Sequence, residues 1–302
     1  MNQAFLRQMM DKTAFPPPAQ RALLESADAL IAAGQTETLA GAVADFYSQG
    51  FSIPQVQPRI DRMAEQAALS PYTVWLLFLI EAAQIAREDF RKDGIPEEIF
   101  WDTFSDLRCK ALECYDIHRV WGTFVASWYP IFYSRRLVKL GRMEYENHPY
   151  YWEEPYVWGD LCVKKGDPVK SIHIPSSGEP FDQAARLDSY RRAYDFFREE
   201  LHGGPLVCIC HSWLLYPPYG ELLSPTSNIS SFQRDFDLIG QDPRASFEDG
   251  WRLFGPAWQQ SPASLPERTS MQRAFKRHLL AGGSIGVGRG VLIFDGERIV
   301  NR

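Results

Sequence analysis

Up to about residue 134 the apolar positions recur every three or four residues, and beyond it they alternate. The first pattern predicts helices from Pro16-Pro17-Pro18 to Gly34, Thr36 to Gln49, Gln55 to Ala68 and Tyr72 to about Arg91. Gly34, Gly50, Ser70-Pro71 and Gly94 are the stops and caps between them. Val74 to Ile80 is apolar without interruption, which predicts a helix buried on all sides. After Pro96, the residues Ile99, Phe100, Phe104, Leu107 and Leu112 fall on one stripe and predict a further helix. A last one is expected from about Arg119 to Tyr133.

Alternation begins at Arg136 and predicts one strand to Glu146, then a hairpin of Tyr156–Lys164 with Val169–Ile174 across Lys165-Gly166-Asp167-Pro168. Leu187, Tyr190, Tyr194, Phe197 and Leu201 step by three and four, so a helix follows, closed by Gly203-Gly204. Leu206 to Cys210 is apolar on both faces, as a central strand must be. Ser227-Asn228 caps a short helix to about Arg234, Phe236 to Gly240 reads as a strand, residues 266–281 as a helix, and Val291 to Val300 as a strand or hairpin. Gly282, Gly283, Gly286, Gly288 and Gly290 come after a helix and before a strand. A phosphate-binding glycine loop has the reverse order, so a turn or hairpin is expected. The class is α+β, with a helical domain over 1–134 and a mixed α/β sheet domain over 135–302, joined without a flexible linker.

The 302 residues can hold one large or two ordinary domains. A hydrophobic share of 45% and a charged share of 23% fit a globular chain. A net charge of −6 argues against nucleic acid as the main partner, which needs a concentrated basic face. The longest apolar run is far short of the roughly 20 residues that span a bilayer, so no membrane is expected. Five cysteines, two of them inside a predicted buried strand, suggest reduced thiols and a cytoplasmic setting.

The candidate chemistry gathers where a strand, Ser171 to Ile174, runs through a loop into a helix and back to the strand ending at Cys210-His211. A loop entering a helix exposes backbone N–H groups that attract anions. His173 lies opposite Ile172 and Ile174 on its strand. It serves as a general base, or is bound to a backbone carbonyl. His211 lies just past the neighbouring strand end, where open α/β sheets place ligands. Ser212 next to it lacks the Gly-x-Ser-x-Gly elbow of a hydrolase, which favours a helix cap over a nucleophile. Cys208 and Cys210 alternate away from His211, so no metal site is expected. Arg142, Glu144 and Glu146 share one strand face by period two, facing either a cleft or solvent. Aromatic residues from Trp121 and Trp128 through Tyr150 and Trp152 to Trp158 flank the change of period, as a pocket lining or as core.

Several segments of the second half resemble a bacterial family of acyltransferases that pairs a helical N-acyltransferase N-terminal domain with a GNAT-like C-terminal domain. They are Leu140-Gly141-Arg142-Met143-Glu144-Tyr145-Glu146, His173-Ile174-Pro175, Cys210-His211-Ser212-Trp213-Leu214-Leu215, Ser227-Asn228-Ile229-Ser230-Ser231-Phe232, Trp251-Arg252-Leu253-Phe254-Gly255 and Ala281-Gly282-Gly283. The resemblance implies the acyl-CoA N-acyltransferase fold, in which two parallel strands, here 169–174 and 205–210, splay to admit acyl-CoA as co-substrate. It implies an acceptor that is a small-molecule amine. By position it implies cofactor contacts from Ile174 along the strand, from Ser176, Ser177 and Gly178 in the loop, and from Asn228. His173, Glu144 or Glu146 would take the amine proton, and His211 would protonate the leaving thiolate. The usual loop of Gln or Arg, two residues, Gly, one residue, Gly or Ala is absent; Ser176-Ser177-Gly178-Glu179-Pro180 stands there, and Glu179 repels phosphate. That departure keeps a second expectation open, a catalytically inactive scaffold of the same fold that binds a small molecule or a protein.

Overall fold

The computed structural model describes residues 1–302. Its contacts divide the chain into two compact units, Met1–Lys139 with Pro175–Ser177, and Leu140–Ile174 with Gly178–Arg302.

The first unit is helical: α1 Gln3–Lys12, α2 Pro17–Ala32, α3 Thr36–Ser48, α4 Ile53–Gln66, α5 Pro71–Lys92, α6 Glu97–Phe104, α7 Asp106–His118 and α8 Pro130–Tyr133. Its axis is α5, which starts where the Ser70 hydroxyl accepts the Tyr72 N–H and buries every residue from Thr73 to Ile80. No single helix is long and apolar enough to cross a membrane. The one helix expected after Pro96 is two, because at Ser105 the side chain bonds back to the Asp102 carbonyl and turns the chain. The helix expected over Arg119–Tyr133 does not form. Arg119 takes a left-handed conformation at φ 58° and ends α7. The chain then lies flat on the start of α5, where the Thr123 N–H bonds the Tyr72 carbonyl at 2.9 Å. Gly122 permits this approach, since a Cβ there would sit 2.3 Å from the Tyr72 carbonyl carbon.

The second unit is built on a sheet. Its elements are β1 Leu137–Leu140, in which the unit division falls, β2 Met143–Pro149, β3 Tyr156–Trp158, β4 Leu161–Val163, β5 Pro168–His173, α9 Gln183–Phe196, α10 Arg198–Leu201, β6 Leu206–Ser212, α11 Asn228–Gln233, β7 Asp237–Arg244, α12 Gly250–Phe254, α13 Ser270–Leu280 and β8 Ile285–Phe294. The six-stranded sheet runs β1-β2-β5-β6-β8-β7, and β3 and β4 form a separate hairpin. Three sequence expectations are corrected here. The strand expected over Arg136–Glu146 is two, turned at Gly141 (φ +66°) and pinned by Ser189, whose hydroxyl bonds the Leu140 carbonyl and accepts the Met143 N–H. Arg142 therefore sits in the turn, off the face that carries Glu144 and Glu146. The residues around 156–163 pair with each other, and β5 pairs with β2 instead. The turn at Lys164–Asp167 directs this, being tied by three hydrogen bonds to Tyr150 and Asp167 at the end of β2. Finally, Gly286, Gly288 and Gly290 lie inside β8. A Cβ on Gly288 would fall 2.0 Å from the Leu215 carbonyl oxygen, so this strand face accepts only glycine under the turn that follows β6.

Helix α9 covers one face of the sheet and the β3–β4 hairpin the other, packing Tyr156 and Val163 on Val169, Ile209, Val291 and Ile293. The buried stripe of α9 is Arg186, Ser189, Tyr190 and Ala193, rotated from the one its apolar spacing suggests. A fully buried Arg186 is tolerated because Asp235 takes its Nε at 2.6 Å, Ser231 its Nη2 at 2.8 Å and the Phe181 carbonyl its Nη1 at 3.0 Å.

Candidate functional site

Parallel pairing between β5 and β6 is confined to Lys170↔Cys208 and Ser171↔Ile209. On the outer side of each strand pairing continues further, β5 with β2 as far as His173↔Glu144 and β6 with β8 as far as Ser212↔Gly288. The sheet therefore parts along its middle beyond Ser171 and Ile209, with each half still held by its own neighbours. Backbone groups of Ile172, His173, Cys210 and His211 border the opening without a ladder partner across it.

Alternation sets what flanks the opening. His173 and His211 each stand two residues beyond the last parallel pair, so they share one face, together with Glu144 and Glu146 opposite β5. His173 Nε2 and Glu146 Oε2 are 2.9 Å apart; the imidazole side chain is 26% exposed and the carboxylate 7%. Glu144 is buried directly across from His173. On the other strand His211 Nε2 lies 3.0 Å from Asp242 Oδ2, and Arg289 Nη2 lies 3.3 Å from Asp242 Oδ1. Cys208 and Cys210 are buried on the opposite face, where burial raises both thiols, Cys210 to about 12. No group of three His, Cys, Asp or Glu is arranged to hold a metal ion.

The loop Pro175–Asp182 follows. Ser176 is exposed and donates to Glu113 of α7; Ser177 is buried, and its carbonyl accepts from Arg108 Nη2 at 3.1 Å. These two residues thus belong with the helical unit, while Ile174 and Gly178 belong with the sheet unit. Gly178 is exposed at φ +78°. The first turn of α9 is capped by the Asp182 carboxylate, which accepts the Ala185 N–H at 2.9 Å. Asn228 is the exposed first residue of α11, and its carbonyl accepts from Arg186 at 3.5 Å. Ser212 caps the turn after β6 by accepting the Leu214 N–H, the structural role its context suggests. The aromatic residues divide between the units: Trp121 stacks on Tyr115 at 4.1 Å in the first, and Tyr150 and Trp152 enter the sheet core of the second. Sequence reasoning missed Asp242, Arg289, Glu113 and Arg108. An acidic residue in an alternating strand was the one signal for Asp242, and it did not say which face.

A family described as GNAT-like C-terminal domain matches residues 137–292, and one described as N-acyltransferase N-terminal domain matches residues 4–134. No curated protein matches the chain. Among solved structures, an acyltransferase in complex with decanoyl-CoA and teicoplanin superposes with TM-score 0.73 at 22% identity, over 95% of this chain and 87% of that one. One in complex with CoA and 10C-teicoplanin gives 0.72 at 22% identity and one with decanoyl-CoA 0.66 at 21%, both with the same coverage. At that identity the likeness establishes a shared fold. With both halves matched in order, the chain belongs to the family that joins an N-acyltransferase N-terminal domain to a GNAT-like C-terminal domain.

Proposed function

We propose that the protein transfers an acyl group from acyl-CoA to an amine of a small-molecule acceptor. The observation that carries this reading is the two-pair ladder between β5 and β6, which leaves main-chain donors facing an opening flanked by two histidine–carboxylate pairs. Family membership and the fold shared with acyltransferases that bind decanoyl-CoA add support.

In this reading the thioester lies along the end of β5, and backbone N–H groups around Ile174 polarise its carbonyl. With Glu146 ionised, the Nε2–H of His173 donates to it, and Nδ1 is the nitrogen that takes the amine proton. The amine nitrogen attacks the carbonyl carbon, a C–N bond forms, the C–S bond breaks and coenzyme A leaves. Glu144, buried across from His173, adds negative charge that favours the protonated imidazole. Ser176, Ser177 and Gly178 supply the loop that meets the pyrophosphate. Longer acyl donors are the first to try, given the decanoyl-CoA held by fold relatives.

Isothermal titration with acetyl-CoA and decanoyl-CoA, followed by thiol release over a panel of amines, tests the reading. Micromolar binding and amine-dependent release support it; no heat at millimolar ligand overturns it. One observation favours the alternative of an inactive scaffold. Asp182 already occupies the donors at the start of α9, and Glu179 stands in the same loop, so an anion meets two carboxylates there. Tight coenzyme A binding with no transfer to any amine selects that alternative.

A further inference from the structure

Strands β6, β8 and β7 bring His211, Arg289 and Asp242 together, and an irregularity in β7 makes this possible. Pairing with β8 runs Asp237↔Val291 and Leu238↔Gly290, then skips Ile239 and resumes at Gly240↔Arg289. A regular strand would turn Ile239 and Gln241 toward the face of Arg289 and His211. The extra residue reverses the alternation, so Gly240 and Asp242 point there instead. Gly240 then leaves room for the guanidinium. A Cβ at that position would come within 2.9 Å of Arg289 Nη2 and 3.0 Å of Cζ and Nε. Arg289 lies across Gly240 to reach Asp242 Oδ1 at 3.3 Å, and Asp242 Oδ2 takes His211 Nε2 at 3.0 Å. Arg289 Nε is buried without a hydrogen-bond partner, a desolvation penalty that an ordinary surface ion pair avoids.

We propose that Asp242, steadied by Arg289, is a positioning residue that fixes His211 with Nε2 toward β7, so that Nδ1–H is the proton donor to the leaving sulfur. This rests on the acyl-transfer reading above. As the C–N bond forms, the C–S electron pair goes to sulfur and the Nδ1 proton of the His211 imidazolium follows it. The products are an amide and the free thiol of coenzyme A. His173 holds the amine proton, and both histidines exchange with solvent to reset. Asp242 favours the imidazolium by its charge, and Arg289 keeps Asp242 ionised. The other groups facing this cluster are Tyr151 and Tyr150. Burial pushes the Tyr151 phenol up to about 12, so it stays neutral in the working range, and Tyr150 is also raised by burial.

The test measures thiol release as a function of pH for the wild type, D242N, D242E, H211A and G240A. Two donors are compared, decanoyl-CoA and a decanoyl aryl thioester whose thiolate leaves without a proton. D242N is expected to lower kcat with decanoyl-CoA about 10- to 100-fold and to move the alkaline limb of its pH profile to lower pH. KM should stay within about twofold, and D242N should match the wild type on the aryl thioester. D242E restores part of the rate. G240A keeps all three functional groups but displaces the guanidinium, and produces a smaller loss of the same kind. Equal losses on both donors with an unmoved alkaline limb, or no loss at all, overturn the role of Asp242 while leaving acyl transfer standing. Absence of transfer from every acyl-CoA by the wild type removes the acyl-transfer reading and this role with it.

Discussion

At His173 the proposed reaction depends on one hydrogen bond, because Glu146 decides which ring nitrogen carries the proton. His173→Ala is expected to reduce kcat about 10²- to 10⁴-fold, and Glu146→Gln less, since the amide still accepts from Nε2–H but lacks charge. Steady-state thiol release with decanoyl-CoA checks both; full activity in His173→Ala removes it as the base. A second expectation concerns thiols. Cys114, Cys208 and Cys210 are raised by burial, Cys109 is also buried, and Cys162 is exposed. Raised thiols stay protonated at pH 8, so iodoacetamide should label Cys162 alone in the native protein, as peptide mass spectrometry would report. The site was partly legible at this scale. Period two put Glu144 and Glu146 on one face, and alternation put His173 opposite Ile172. That Glu144 faces His173 was not legible, because strand pairing across 29 positions leaves no local mark. Asp242 was hidden for a different reason: one skipped residue, Ile239, inverts the face that alternation assigns to it.

Elements were legible where caps and stripes act locally, and illegible where packing from afar decides. The runs that became α2 to α5 carry Pro at the first turn or Gly past the end, so their ends agree with the pattern to within a few residues. The stretch after Arg119 has helical spacing yet lies extended, because Gly122 lets it bond the backbone of α5. The glycines of β8 read as a turn for the same kind of reason, since nothing in their own sequence reveals Leu215 above them. Gly288→Ala tests this argument. The new Cβ would meet backbone rather than a movable side chain tip, so strand or turn must shift. Destabilisation of about 1–3 kcal/mol or more is expected from such overpacking. Urea unfolding followed by circular dichroism measures it, and a midpoint equal to the wild type would show that the turn yields freely. The loop after β5 is a subtler case. Ser176 and Ser177 looked like a phosphate loop, but their bonds to Glu113 and Arg108 tie them to α7.

For the whole molecule, the α+β class followed from the change of period near residue 134, but what holds each unit together against pH did not. Tyr129 and Tyr133 in the helical unit, and Tyr145 and Tyr190 in the sheet unit, are completely buried, and burial raises all four phenols well above 10. Cys114, Cys208 and Cys210 are raised in the same direction. In the unfolded chain these groups ionise near their ordinary values, about 8.5 for thiols and 10 for phenols. Above those values the unfolded state binds fewer protons than the native one, so stability falls with each further unit of pH. Below about pH 8.5 both states are fully protonated at these groups, which then contribute no pH dependence. Because such groups occur in both units, neither is exempt. The expected result is a melting temperature insensitive to these residues from pH 7 to about 8.5 and declining steadily beyond about 9.5. Phenolate absorbance at 295 nm separates causes, since exposed tyrosines titrate reversibly near 10 and the buried set appears only together with loss of helical circular dichroism. Ionisation of all 13 tyrosines in one reversible step, with the helical signal intact, would mean that these phenols reach water in the native state and that the decline has another origin.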